Sequence, residues 1–299
     1  MKILITGANG LLGQKLAKLY AIKPQYEVLA TGRGESRFPI DGNHIRYATM
    51  DITKKEEVNT IISSFTPDVI IHTAAMTNVD ECESNKRGCW EMNVSAVDYL
   101  LESAKKIDAF FLHLSTDFIF DGTIGPLSED EKPNPVNYYG ESKLEAENLI
   151  RNSKVKWAIA RTVLVYGITH NMSRSNIILW VKNNLEKKET IRVVDDQWRT
   201  PTLAEDLAMG CYLIVEKQAE GIFNISGKDF ITPYQMAIMT AEYFELDKSL
   251  IVKTDGSLFK QAAKRPAKTG FIINKARETI GYQPHSFTEG ISILANQIH

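Results

Sequence analysis

Cysteine is scarce in this chain of 299 residues. It has three, Cys82, Cys89 and Cys211, an odd number without any Cys-x-x-Cys spacing. That excludes a disulfide framework and a thiolate zinc site, and leaves three thiols to be buried or half-buried. Excess charge is missing too: 35 Lys and Arg stand against 37 Asp and Glu, a net charge of −2. Such a balance leaves no electrostatic footprint for nucleic acid or an anionic membrane. No apolar run reaches the length of a membrane span. The first residues lack the basic and apolar regions of a signal peptide. Internal repeats, low-complexity tracts and long charge blocks are all absent, and the acidic patch Glu129-Asp130-Glu131 reads as a solvated loop. No His, Asp or Glu pair has convincing metal-ligand spacing, and His72 and His113, each inside an apolar strand, read as satisfied core histidines. The expectation is a cytoplasmic enzyme with neither nucleic acid nor membrane as a partner.

What is present begins at once. Residues 2–6 are a short apolar strand, followed by Gly7-Ala8-Asn9-Gly10-Leu11-Leu12-Gly13, a G-x-x-G-x-x-G turn, and by apolar residues at helical spacing (Leu12, Leu16, Leu19, Tyr20). Glycines there allow a tight turn, a close approach to a pyrophosphate and packing of helix on strand, and the helix N-terminus faces the anion. In a strand–turn–helix context the motif points to a dinucleotide site, held by Gly7, Asn9, Gly10, Leu11, Leu12 and Gly13. A second strand, 26–31, ends at Gly32-Arg33 with no acid directly after it. An Arg in that place accommodates a ribose 2′-phosphate, so NADPH is expected. Arg33 as a solvated charge, with Glu35 facing the ribose and NADH as cofactor, is the alternative. After a strand at 45–50, Asp51 would accept from the adenine amino group or cap the helix at 56–65, with Ile52 beside it. The strand 68–72 runs into Ala74 and Ala75, whose small side chains let backbone lie along the cofactor.

The alternation of strands and helices argues a Rossmann-type, doubly wound parallel α/β sheet, with a smaller C-terminal α/β substrate lobe. The sheet domain is expected over 1–167, rejoined by about 203–230; the smaller lobe takes 168–202 and 231–299. Within that lobe a helix is expected at 175–185 and a strand at 192–194. Thr232 caps a further helix, with Pro233 in its first turn.

The chemistry is read from 115–143. A hydroxyl residue ends an apolar strand at Ser115-Thr116-Asp117, and Tyr139 and Lys143 follow four residues apart, on one helix face. A phenol beside an ammonium is a proton donor with a depressed pKa, as a carbonyl receiving a hydride requires. Tyr138 is excluded as the acid because five residues place it about 140° from the Lys143 face.

With these residues laid out, the chain resembles the extended short-chain dehydrogenase/reductases and, more narrowly, the dTDP-4-dehydrorhamnose reductase family. The supporting stretches include 74–83, Asn93-Val94, 115–122, Arg161-Thr162, Val165-Tyr166-Gly167, Asp195-Asp196-Gln197-Trp198 and Thr200-Pro201-Thr202, with Arg265-Pro266 as a weaker match. The resemblance implies that Thr116 hydrogen-bonds the substrate carbonyl, Tyr139 protonates the nascent alkoxide, and Lys143 lowers the Tyr139 pKa and holds the nicotinamide ribose. Asn93 matches a supporting Asn linked to the proton relay. Thr77, Val79, Thr116, Phe118, Leu164, Trp198 and Arg199 fall on the substrate side. Three departures stand there: Leu164 for the family's Trp, Phe118 for its Tyr and Arg199 for its Gly. The first two remove polar or stacking contacts, and Arg199 adds a charged partner for a phosphate or carboxylate. Arg265 is left open between a diphosphate and a structural contact.

The implied activity is NADPH-dependent reduction of the 4-keto group of a nucleotide-linked deoxysugar, in a protein compatible with a homodimer. A sugar-nucleotide epimerase with bound NAD is the alternative enzyme. A non-catalytic NADP-binding regulatory subunit, like the β subunit of methionine adenosyltransferase, is the alternative of another class. A dehydratase is disfavoured because Asp117 is followed by Phe118 rather than Glu.

Overall fold

The apolar runs of the first half become the middle of a parallel sheet because both of their faces are covered. The structure is a computed structural model, which describes residues 1–40, 42–172, 175–258 and 262–298. The chain begins β1 (Lys2–Thr6), α1 (Leu11–Ala21), β2 (Glu27–Gly32), β3 (Ile45–Thr49), α2 (Lys55–Phe65) and β4 (Val69–His72). It continues through α3 (Val79–Ser84), α4 (Lys86–Trp90), a π-helical turn at Glu91–Ser95, α5 (Ala96–Lys106) and β5 (Phe110–Thr116). Next come α6 (Tyr138–Asn152), β6 (Trp157–Thr162), β7 (Val165–Tyr166), α7 (Ile177–Glu186), β8 (Ile191–Val194) and β9 (Thr202–Leu203). The last elements are α8 (Ala204–Glu216), β10 (Gly221–Asn224), α9 (Pro233–Tyr243), β11 (Ile251–Thr254), α10 (Asn274–Ile280) and α11 (Phe287–Ala295).

The main sheet has seven strands in the order β10-β6-β5-β4-β1-β2-β3, and each neighbouring pair is parallel. The chain runs outward from β1 to β3, then crosses to β4 and runs outward the other way. The order therefore reverses between β1 and β4, which opens a crevice at their C-terminal ends. One face is covered by α1, α8 and α10 through Leu16, Tyr20, Leu207, Ile214 and Ile280. The other is covered by α2, α5 and α6 through Val58, Ile62, Leu100, Ala146 and Ile150.

A separate two-stranded parallel ladder, β8 with β11, packs under α7 and α9 through Val181, Leu185, Val193 and Ala237. Helix α9 starts where expected, with Thr232 and Gln235 forming a reciprocal capping box and Pro233 in the first turn. Residues Ile273, Ala276, Ile280 and Tyr282 join the core beside β1 and α1. This stretch, assigned to the smaller lobe from the sequence, is thus packed on the main sheet. The helices of 79–106 were not anticipated. Their starts rest on Asn78 and Asn85, whose side chains accept from the amides of Glu81 and Gly88.

Candidate active site

The glycine turn stands at the point where the strand order reverses. Gly7 has φ of +70°, and a Cβ there would lie 2.6 Å from the Ala74 nitrogen, so β1 and β4 continue into touching backbones. At Gly13 a Cβ would meet the Gly7 carbonyl oxygen at 2.4 Å, which presses α1 onto the turn. Gly10 caps α1 without a side-chain hydrogen bond, and the first turn holds no acid. Helix geometry leaves the amides of Leu11, Leu12 and Gly13 without intrahelical acceptors, so this end suits a pyrophosphate. Asn9 braces the loop that follows β2. Its Nδ2 donates to the carbonyls of Arg33 (3.2 Å) and Glu35 (2.9 Å), and its Oδ1 accepts from the Arg37 amide (2.9 Å). It shapes the loop that presents Arg33, which is exposed at the end of β2. Asp51 accepts from the Thr53 amide and hydroxyl at 3.0 and 2.8 Å, and the cap position of α2 is Lys54, so the helix-cap alternative is not realised. Ile52 is buried beside it, and Ala74 and Ala75 are half-buried at the end of β4.

Thr116 ends β5 and Tyr139 sits in the first turn of α6. Asn137 caps that helix, accepting from the Gly140 amide at 2.8 Å. A Cβ on Gly140 would lie 2.1 Å from the Phe118 carbonyl oxygen, so only glycine lets the helix start so close to β5. The Thr116 side chain is near enough to the Tyr139 phenol to oppose the effect of burial on it. Thr116 Oγ1 donates to Asp117 Oδ1 (3.1 Å) and accepts from the Phe118 amide (3.2 Å). Lys143, 2% exposed, lies one turn on, with Nζ donating to the Leu114 carbonyl at 2.7 Å and 2.8 Å from His113 Nε2. Asn93, on the π-helical turn, accepts from the Met76 amide (2.8 Å) and donates to Ser142 Oγ (3.0 Å), which donates to the Tyr139 carbonyl (2.7 Å). It braces the helix that carries the phenol.

The electrostatics correct one expectation. Burial pushes the Tyr139 phenol up, with Thr116 opposing. Burial likewise brings Lys143 down to about 8, with Glu147 and Cys89 acting against it. A depressed phenol was expected from the spacing alone. Desolvation outweighs that attraction at the buried phenol.

On the substrate side, Phe118 packs edge-to-face on Tyr139 with centroids 5.8 Å apart. Val79 lines the same cluster with Cys82 and Cys89, and Thr77 is exposed in the loop after β4. Leu164 is 44% exposed with φ of +38°, a strained conformation for a branched side chain. Trp198 is half-buried against Phe230, with centroids 5.3 Å apart. Arg199 departs from expectation. It is 5% exposed, and its guanidinium donates to the carbonyls of Trp198 (2.7 Å), Ala267 (3.0 Å) and Pro266 (2.7 Å). With its donors turned inward it clasps the loop 266–269 and is not presented to a phosphate. Arg265 makes a structural contact, pairing bidentately with Asp80 at 2.8 and 2.7 Å. A cavity of about 410 Å³ lies between α7 and β8, bordered by Asn176, Trp180, Arg192, Gln197 and Pro233. Among the described residues no group of three or more His, Cys, Asp or Glu could hold a metal ion. Among the described residues no helix is long and apolar enough to cross a membrane.

Asp117, Thr269 and His113 were missed as neighbours of the site. Asp117 accepts from the hydroxyls of Thr116 and Thr269, the latter 152 residues away, and no local pattern signals such a pairing.

The chain is similar to known proteins along its whole length. A family model described as the RmlD substrate binding domain matches residues 1–299. The dTDP-4-dehydrorhamnose reductase of Aggregatibacter actinomycetemcomitans is 32% identical, with 97% of each chain covered. Methionine adenosyltransferase 2 subunit beta of Xenopus tropicalis is 33% identical over 83% of this chain and 73% of its own length. Among solved structures, a dTDP-4-dehydrorhamnose reductase of Clostridium acetobutylicum superposes with a TM-score of 0.86 at 28% identity, covering 99% of both chains. That of Bacillus anthracis, in complex with NADP, gives a TM-score of 0.86 at 25% identity over 99% of both. With its model matched from end to end, the chain belongs to the RmlD substrate binding domain family.

Proposed function

We propose that the protein is an NADPH-dependent reductase of the 4-keto group of a nucleotide-linked deoxysugar, as its relationship to dTDP-4-dehydrorhamnose reductases suggests. The observation that carries the reading is the buried Tyr139 phenol with Thr116 beside it at the end of β5 and Lys143 one turn on, next to the crevice at the glycine turn. A bound nicotinamide supplies a hydride. The amides of Leu11, Leu12 and Gly13 would hold the pyrophosphate, and Arg33, placed by Asn9, would hold the 2′-phosphate.

Tyr139 and Thr116 supply the rest. The phenol, kept protonated by burial, gives its proton to the forming alkoxide, while the Thr116 hydroxyl turns from Asp117 to the same oxygen. Phe118 and Val79 offer an apolar wall beside that oxygen, and Leu164, Thr77 and Trp198 are proposed to contact the sugar nucleotide. Residues 1–167 with about 203–230 would hold the dinucleotide, and 168–202 with 231–299 the substrate. We extend the proposal to a cytoplasmic homodimer.

The reductase of Aggregatibacter covers 97% of its own length against this chain, the adenosyltransferase subunit of Xenopus 73%, which favours the enzyme over the regulatory reading. The test is NADPH oxidation against a panel of 4-keto nucleotide sugars, with Tyr139→Phe as control. The variant is expected to bind NADPH yet lose at least about 100-fold in kcat. Full turnover by that variant would refute the mechanism.

A further inference from the structure

The buried side of Lys143 is occupied by a residue that the proposed reaction does not use. His113 lies on β5 and is fully buried, stacked on His72 of β4 at 5.2 Å between centroids. Its Nε2 is 2.8 Å from Lys143 Nζ, and the Leu114 carbonyl is 2.7 Å from the same nitrogen. An ammonium has three N–H donors, so these two acceptors leave one. An imidazole can accept from an ammonium only through an unprotonated nitrogen. His113 must therefore be neutral with its proton on Nδ1, an atom that has no partner among the described residues. A donor left unpaired in the core is a cost, offset here only if the other nitrogen has a task.

We propose that His113 is a positioning residue for Lys143: its Nε2 holds the ammonium against β5 and keeps the third N–H aimed at the dinucleotide crevice. The inference deepens, and as regards the ligand rests on, the reductase reading above. The other groups around Lys143 are Cys89 from α4, Glu147 and Tyr139 on its own helix, and His72 behind His113. Glu147 is committed to Arg161 in a bidentate pair at 3.0 and 2.7 Å. His72 has its Nδ1 2.7 Å from the Thr6 hydroxyl and is pushed down to about 3, by burial first and Lys143 second. His113 is likewise held well below its ordinary value by burial. Both rings thus stay neutral across the working range, and the acceptor is never lost to protonation. A hydrogen bond to a charged group is equivalent to about one to two pKa units in favour of the charged form.

The experiment follows the Lys143 side chain by NMR in the protein with ¹³C-labelled lysine, without added nucleotide. In the wild type it is expected to titrate near 8, lowered by burial. His113→Phe, which keeps the stacking but removes the acceptor, should lower that midpoint by about one to two units. His113→Gln, whose Oε1 can replace Nε2, should restore most of it. The alkaline limb of NADPH binding should move in parallel. A midpoint unchanged in His113→Phe, or lowered equally in both variants, overturns the proposal. If the Phe variant does not fold, ¹⁵N spectra of labelled histidine in the wild type decide: the Nδ1-protonated tautomer at His113 supports it and the Nε2-protonated one overturns it. Should no keto sugar be reduced by the wild type, the reductase reading fails while the Lys143 titration still judges His113.

Discussion

Replacing Arg199 by Met separates two roles for the same residue. As a substrate ligand, Arg199 would be spent on KM, and its loss would leave the fold intact. Its position points the other way. The side chain is 5% exposed, and its loss would strand the carbonyls of Pro266 and Ala267, which lie 2.7 and 3.0 Å from it. It would also remove the cation 3.9 Å from the buried carboxylate of Asp117. Each buried polar group left unpaired costs about 1–3 kcal/mol. Breaking a buried charge arrangement by deleting one partner costs about 3–5 kcal/mol. Because the partly shared losses do not add, the expected total is about 3–5 kcal/mol, or roughly 10 °C in Tm for a protein of this size. Differential scanning calorimetry and urea unfolding measure it.

The deficit should also depend on pH. Burial raises the Asp117 carboxyl, and Arg199 is the largest opposing influence. A carboxyl raised in the folded state binds its proton more tightly there, so its contribution to stability is lost as pH rises through the folded pKa. Removing Arg199 raises it further, and the Arg199→Met deficit should be greatest near neutrality and shrink as the medium is acidified toward the ordinary carboxylate range. A variant that melts within about 2 °C of wild type while KM for a nucleotide sugar climbs would refute this reasoning and restore Arg199 to the ligand.

Gly13→Ala would drive a methyl to 2.4 Å from the Gly7 carbonyl and 2.6 Å from Ala8 Cα, so NADPH binding measured by fluorescence should be lost, with stability lowered by about 1–3 kcal/mol. Leu164→Asn places a residue that tolerates positive φ where an exposed Leu is strained, and should raise stability by about 1 kcal/mol while weakening KM for the sugar nucleotide. Unfolding curves showing a loss of stability would deny the strain. Asp80 is lowered to about 2, chiefly by its hydrogen bonds to Arg265, so its contribution is present above its ordinary 3.8 and lost as pH falls toward 2. Because Asp80 is 41% exposed, Asp80→Asn should cost at most about 1 kcal/mol at pH 7, a difference that narrows below pH 4.

Much of the site was legible along the chain, and the reason is locality. The G-x-x-G-x-x-G turn, bounded by an apolar strand and an amphipathic helix, occupies a dozen consecutive residues, and its backbone demands are written in its glycines. The apolar runs of β1, β4 and β5 declare a sheet buried on both faces. Tyr139 and Lys143 share a helix face because four residues make about one turn. These features hold whatever the rest of the molecule does, and the strand order that follows from them sets the crevice beside them.

What side chains do once buried depends on residues far away in sequence, and only the tertiary structure decided it. Arg199 looked like a free cation in a loop, but residues 266 and 267 fold across it and take its donors. Lys143 looked like a partner for a phenol, yet His113, 30 residues earlier on β5, lies 2.8 Å from its ammonium. The Tyr139 pKa rises because burial penalises the phenolate, a quantity no spacing encodes. Spacing along the chain could place the reacting groups on one face. Their charges and hydrogen-bond partners were settled by which distant segments close over them, because desolvation and long-range acceptors exist only in the folded chain.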